Sequence, residues 1–172
     1  MEVMISAEQI RARVKELGQE IQKHYAGQPV TVVGVLTGSL IFLADLIREL
    51  DLPIQIGLIQ ASSYRGTATS PGELIIKDEL LNNISGRAVL LLDDILDTGQ
   101  TISRIKTHLL ARGAASVLTA VLLRKIGRQT IPFEPEWTGF SIADRFVVGY
   151  GLDFDDEFRH LPYIGVVTDG AH

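Results

Sequence analysis

Apolar residues follow two rhythms along this chain, and the switching between them predicts alternating strands and helices. Near the start, Ile10, Val14, Leu17 and Ile21 recur at three- to four-residue spacing and so share one helix face. Ser6, with Gln9 three residues on, supplies a capping box ahead of that helix. Elsewhere the apolar positions run together. Val30 to Leu36, Ile54 to Gln60, Ala88 to Leu92 and Ser116 to Leu123 have strand length and carry few polar interruptions, as strands covered on both faces of a parallel sheet do. Glu73 to Asp78 adds a shorter strand. Helical patterns run from Leu40 to Leu50 and from Thr101 to about Arg112; the second has Ile102, Ile105 and Leu109 on one face and stops at Gly113. Ile126 to Phe140, with Pro132, Pro135 and Trp137, reads as an irregular crossing segment. Strand, tight turn and helix in repeated order predict an α/β fold.

The stretch from Ala88 to Thr101 carries the most chemistry. A buried strand runs directly into Asp93 and Asp94, then Ile95, Leu96 and Asp97, and Thr98-Gly99-Gln100-Thr101 opens the next helix. In open α/β sheets ligands bind at the carboxyl ends of strands. Free N–H groups in a first helical turn suit a phosphate, Gly99 allows close backbone approach, and Thr98 and Thr101 add hydroxyl donors. Adjacent carboxylates repel one another unless something positive or rich in hydroxyls lies beside them, and a sugar diol with bound Mg²⁺ fits that need. A buried strand with a solvated acidic turn is the plainer alternative. Thr37-Gly38-Ser39, after the Val30–Leu36 strand, is a second turn able to bind an anion by its backbone, or simply a connection between strand and helix.

Composition narrows the field. The chain has 172 residues, 46% of them hydrophobic, which suits one folded domain over 1–172 with a sizeable core. It has no cysteine, hence no disulfide framework and no thiolate metal site. No signal-type apolar segment and no run near ~20 apolar residues is present, so a soluble cytoplasmic protein without a membrane role is expected. A net charge of −5 argues against a general nucleic-acid partner. No G-x-G-x-x-G follows a strand, which leaves a dinucleotide-dependent oxidoreductase without support.

The stretch from Val89 to Thr101 resembles the phosphoribosyl-pyrophosphate (PRPP) motif of type I phosphoribosyltransferases: a hydrophobic strand, two acids, two aliphatics, Asp-Thr-Gly and Thr. It departs from that pattern at Asp93, where the family commonly has Glu. Asp144 to Asp153, Phe158-Arg159 and Leu161 to Val166 are similar to the C-terminal half of hypoxanthine-guanine phosphoribosyltransferases, and Lys125 stands where those enzymes place a purine-recognising lysine. The resemblance implies a central, mostly parallel twisted sheet flanked by helices, with a small hood formed by the C-terminal part. It implies transfer of 5-phosphoribosyl from PRPP to N9 of hypoxanthine or guanine, with Mg²⁺, in a homodimer or homotetramer. By the same resemblance Asp93 and Asp94 hold the ribose diol and metal, and residues Asp97, Thr98, Gly99, Gln100 and Thr101 hold the 5′-phosphate. Asp97 also serves as catalytic base and acid at purine N7. Thr37, Gly38 and Arg159 meet pyrophosphate, in a loop where the Leu36–Thr37 bond is often cis, and Thr37 replaces a lysine common in the family. Lys125, Phe146, Val147 and Asp153 bind the purine, Asp153 also helping to hold the metal, while Ser63 and Tyr64 belong to a lid. Some proteins with this fold and motif are instead nucleotide-sensing or RNA-binding regulators, which RNA binding without nucleotide formation would reveal.

Overall fold

A computed structural model of the chain describes residues 1–63 and 73–168, with Ser63 described by its backbone alone. Six strands form the main sheet in the order β4-β3-β2-β5-β6-β7. They are β2 (Val30–Leu36), β3 (Ile54–Ser63), β4 (Leu74–Lys77), β5 (Ala88–Leu96), β6 (Ser116–Lys125) and β7 (Trp137–Ile142). All neighbours run parallel except β3 and β4, which pair antiparallel at the sheet edge. A second, three-stranded antiparallel sheet joins β1 (Glu2–Ile5), β9 (Ile164–Val166) and β8 (Val147–Val148) in the order β1-β9-β8. This is the expected α/β architecture, with the small sheet as the hood.

Alternation along the central strands explains why they are apolar throughout. Val30 and Val32 of β2 and Leu90 and Leu92 of β5 face one core, under α1 (Ala7–Tyr25) and α2 (Leu40–Ile47). Val33, Val35, Val89 and Leu91 face the other, under α3 (Gln100–Ala111). Successive side chains point to opposite faces, so a strand covered by helices on each side has no place for a polar residue. The capping box at Ser6 and Gln9 is present, and Gly113 takes a left-handed φ of +93° just past α3. No helix among the described residues is long and apolar enough to cross a membrane.

Several elements differ from the pattern-based expectation, among them β8 and β9 of the small sheet, which it does not name, and β3, which runs on to Ser63. β1 shows no clean alternation and gains its identity only by pairing with β9, far away in sequence. α2 stops at Ile47 because Glu49 and Leu50 donate back to the carbonyls of Leu46 and Ile47, an i→i−3 winding that closes the helix before Leu50. The segment read as irregular to Phe140 becomes a strand from Trp137 on, because the exposed edge of β6 offers a ladder running to Ile142. Gly139 sits tight against the carbonyl of Leu122 within that ladder. Finally, β5 continues through Asp93 and Asp94 to Leu96, the last pairing being Leu96 with Arg124. The paired acids are therefore strand residues rather than loop residues.

Candidate functional site

β2 and β5 are neighbours at the middle of the sheet, and their helices leave toward opposite faces, so a crevice opens at their carboxyl ends. A cavity of about 310 Å³ occupies it. Gly38, Asp93, Asp94, Asp97, Thr98, Gly99, Thr101, Asp153 and Arg159 all reach its wall, over an apolar floor that includes Val35 and Ile102. Residues from three separated parts of the chain are thus brought to one place. A larger cavity of about 440 Å³ lies between α1, α2 and the C-terminal loops and shares Arg159 with the first. It holds the bond from the Tyr150 hydroxyl to Asp45 but none of the paired acids or the helix start.

Asp93 is 9% exposed, a rare state for an acid. Burial, and then the charge of Asp94, hold its carboxyl well above the usual carboxylate range. Burial also raises Asp94, a rise partly countered by hydrogen bonds and by the Arg159 guanidinium. Each carboxylate accepts the next residue's N–H, Asp94 N to Asp93 at 2.8 Å and Ile95 N to Asp94 at 2.7 Å, which orients both without neutralising either. Four aspartates and one arginine line the cavity, so a polyanionic ligand would be repelled unless it arrived with a cation. No cluster of three or more metal-ligating His, Cys, Asp or Glu side chains exists among the described residues. That donor set fits Mg²⁺, which binds through one or two carboxylates together with substrate oxygens and water rather than in an all-protein cage.

These shifts give a stability prediction. With its folded-state pKa raised, Asp93 carries a penalty that grows as pH rises above the unfolded value near 4 and is complete above the folded one. Asp93→Asn keeps the acceptor for Asp94 N–H and removes that penalty. The ligand-free variant should melt about 2–4 °C higher at pH 7.5, the shift that ~1 kcal/mol produces in a chain of this length. The gain should shrink toward pH 4, and an equal gain at both pH values would exclude the carboxylate as its source.

Beyond β5 the chain passes through Asp97 and Thr98 to Gly99, whose φ of +88° makes it the N-cap of α3. No acidic residue lies in the first turn of that helix, which leaves its positive end open to an anion. Gln100 N–H donates to the Thr98 hydroxyl at 3.3 Å, while the Gln100 side chain turns away to Thr130. Asp97 receives the Arg128 guanidinium at 2.9 Å.

The opposite wall is the loop after β2. Its Leu36–Thr37 peptide bond is cis. A Cβ on Gly38 would overlap Asp94 Oδ2, so only glycine brings this backbone against the acid. A Cβ on Gly151 would likewise overlap the carbonyl oxygen of Gly38. Arg159 donates to the Gly151 carbonyl at 2.7 Å and lies 3.4 Å from Asp153, which anchors its guanidinium at the cavity wall.

Lys125, Phe146 and Val147 stand outside the cavity wall, on the hood side. Lys125, at the end of β6, has its side chain 14% exposed and its Nζ 3.4 Å from Asp144. Phe146 is 51% exposed and meets Phe154 edge to face at 5.5 Å. Val147 opposes Val166 in the ladder, and Val167 N–H donates to the Phe146 carbonyl. Antiparallel alternation therefore turns the N–H and carbonyl of Val147 away from β9, toward the outer edge of the small sheet. Ser63 ends β3, and Tyr64 lies outside the described residues. Pattern reading missed Arg128 and Gln129 as neighbours of the site, and nothing in their local sequence marks them; Asp144 lies in the C-terminal stretch singled out above but was given no role.

Comparison with known proteins agrees with this geometry. The family model described as phosphoribosyl transferase domain matches residues 5–155. The hypoxanthine-guanine phosphoribosyltransferase of Streptococcus pneumoniae is 40% identical over 170 residues, covering 99% of this chain and 94% of that protein. The hypoxanthine phosphoribosyltransferase of Escherichia coli is 42% identical over 170 residues, covering 97% of this chain and 95% of its own. A crystal structure of a hypoxanthine-guanine phosphoribosyltransferase from Bacillus anthracis superposes with a TM-score of 0.90 at 35% identity, covering 98% of each chain.

Proposed function

The chain belongs to the phosphoribosyl transferase family, and from that premise we propose that it is a purine salvage enzyme converting hypoxanthine or guanine, with PRPP, into IMP or GMP and pyrophosphate. The observation that carries this reading is one cavity walled by paired acids, the first of them buried, a helix start without acids, and an arginine beside a glycine loop. Those are the three receptors that a ribose diol, a 5′-phosphate and a diphosphate require. The likeness to the named relatives, which runs over nearly the full length of the chain, supports the choice of base. None of them speaks for the regulator alternative. Assembly as a homodimer or homotetramer in the cytoplasm is part of the same proposal.

In this reading Asp93 and Asp94 accept hydrogen bonds from the 2′ and 3′ hydroxyls, and the first-turn N–H groups of α3 with Thr98 and Thr101 hold the 5′-phosphate. The backbone of Thr37 and Gly38 and the Arg159 guanidinium receive the diphosphate. Asp93, Asp94 and Asp153 would hold Mg²⁺, whose charge would be available to neutralise the leaving group. Lys125 donates to purine O6, Phe146 covers the ring face, and the outward-turned backbone of Val147 reads its edge. Ser63 and Tyr64 close over the reacting centre and exclude water, which would otherwise consume the activated sugar. The reaction then balances simply. The C1′–O bond to pyrophosphate breaks, N9 forms the new bond to C1′ from the opposite face, and the N7 proton passes to Asp97. Anchoring at both ends of the sugar converts binding energy into alignment of the atoms that react.

Incubating the protein with PRPP, Mg²⁺ and each of hypoxanthine, guanine, xanthine and adenine tests this. IMP and GMP should form with equimolar pyrophosphate, and adenine should yield none. Absence of nucleotide from every base would overturn the assignment.

A further inference from the structure

The connector between β6 and β7 lies along the loop that opens α3 and holds it at several points. Gln129 Nε2 donates to the carbonyls of both Asp97 and Lys125, at 2.9 and 2.8 Å. Thr130 N–H donates to the Thr98 carbonyl at 3.0 Å, and the Gln100 amide donates to the Thr130 hydroxyl at 2.9 Å. Ile131 and Phe133 flank Gly99 at van der Waals distance from where a Cβ would stand. The bonds from Gln129 and Thr130 N–H fix backbone. Arg128 acts on a side chain: its Nε donates to Asp97 Oδ1 at 2.9 Å. Its Nη1 lies 3.7 Å from one oxygen of Asp144, whose other oxygen lies 3.4 Å from Lys125 Nζ. Charges therefore alternate from Asp97 through Arg128 and Asp144 to Lys125, linking the carboxylate proposed to take the purine proton with the ammonium proposed to grip the same purine.

We propose that Arg128 is a positioning residue for the transfer step, holding one oxygen of Asp97 so that the other is presented to the base seated by Lys125. The inference rests on the roles given above to Asp97 and Lys125. The Asp97 side chain is 41% exposed and has two free torsions, so nothing in its own burial fixes it. A guanidinium donating at Oδ1 selects one rotamer, and the second contact, to Asp144, keeps the guanidinium from swinging with it. As an exposed ion pair the contact contributes little to folding. Its value lies in geometry, because a displacement of about 1 Å at a reacting group costs up to ~10²-fold in rate.

A double-mutant cycle read by single-turnover nucleotide formation separates this from a structural role. Arg128→Ala should lower the rate about 10-fold with the KM for PRPP within about twofold of wild type. In an Asp97→Asn background the same substitution should change the rate by less than about twofold, since a carboxylate that is absent needs no placing. Arg128→Gln, which retains an amide donor, provides a second arm should the alanine variant fail to fold. An unchanged rate in the single variant, or equal losses in both backgrounds, would overturn the role of Arg128. An Asp97→Asn enzyme with wild-type rate would instead remove Asp97 from the chemistry, and the two failures are told apart by which single variant is silent.

Discussion

Asp97→Asn is expected to lower the single-turnover rate of nucleotide formation by about 10²- to 10⁴-fold, the range a positioned acid-base group supplies. PRPP affinity should stay within a few-fold, because the substitution leaves the backbone that faces the phosphate intact. Asn keeps an oxygen for the Arg128 donor and nearly the same shape, so the loop held by Gln129 and Thr130 has no reason to move. What it loses is the capacity to take a proton and the negative charge beside an imidazole ring that becomes cationic. A fall in PRPP affinity as large as the fall in rate would show that Asp97 serves the phosphate alone.

The second large effect is on choice of base. Lys125→Ala should reduce kcat/KM for hypoxanthine about 10- to 150-fold, the worth of a charge-assisted hydrogen bond of ~1.5–3 kcal/mol. Discrimination against adenine should narrow with it. A cation opposite position 6 accepts a carbonyl and rejects an amino group, which presents a donor to a donor. The Lys125 side chain is mostly enclosed, and its ion partner Asp144 stands at 3.4 Å, beyond a short hydrogen bond, which leaves the ammonium free to engage a ligand. Unchanged kinetics with hypoxanthine and unchanged exclusion of adenine would place base recognition elsewhere.

The central strands were legible in the sequence because burial on both faces leaves an unbroken apolar run, and α1 because its capping box and spacing agree. The run Asp93-Asp94-Ile95-Leu96-Asp97 was legible as chemistry through its resemblance to a known motif. Its placement inside β5 was not, since an isolated reading puts acids in solvent, whereas here Asp93 is buried and Asp94 partly so. β1 and β7 escaped because short edge strands are defined by their partners: β1 by residues some 160 positions away and β7 by the exposed flank of β6. Arg128 escaped for a related reason. One arginine in a polar turn looks like any solvated cation until the connector folds back and its Nε reaches a carboxylate 31 residues earlier.

The paired glycines narrow what evolution or an engineer can alter here. A methyl at Gly38 would force the Asp94 carboxylate to shift, and a methyl at Gly151, where φ is +100°, would meet the main-chain carbonyl of Gly38. Gly151 is the more restrictive of the two, because its obstacle is main chain and its positive φ favours glycine. The half-exposed Phe146 faces no such confinement. Variants with new preferences for the acceptor can therefore be sought at Phe146, proposed above to cover the base, while the glycines beside the proposed sugar site are left unchanged.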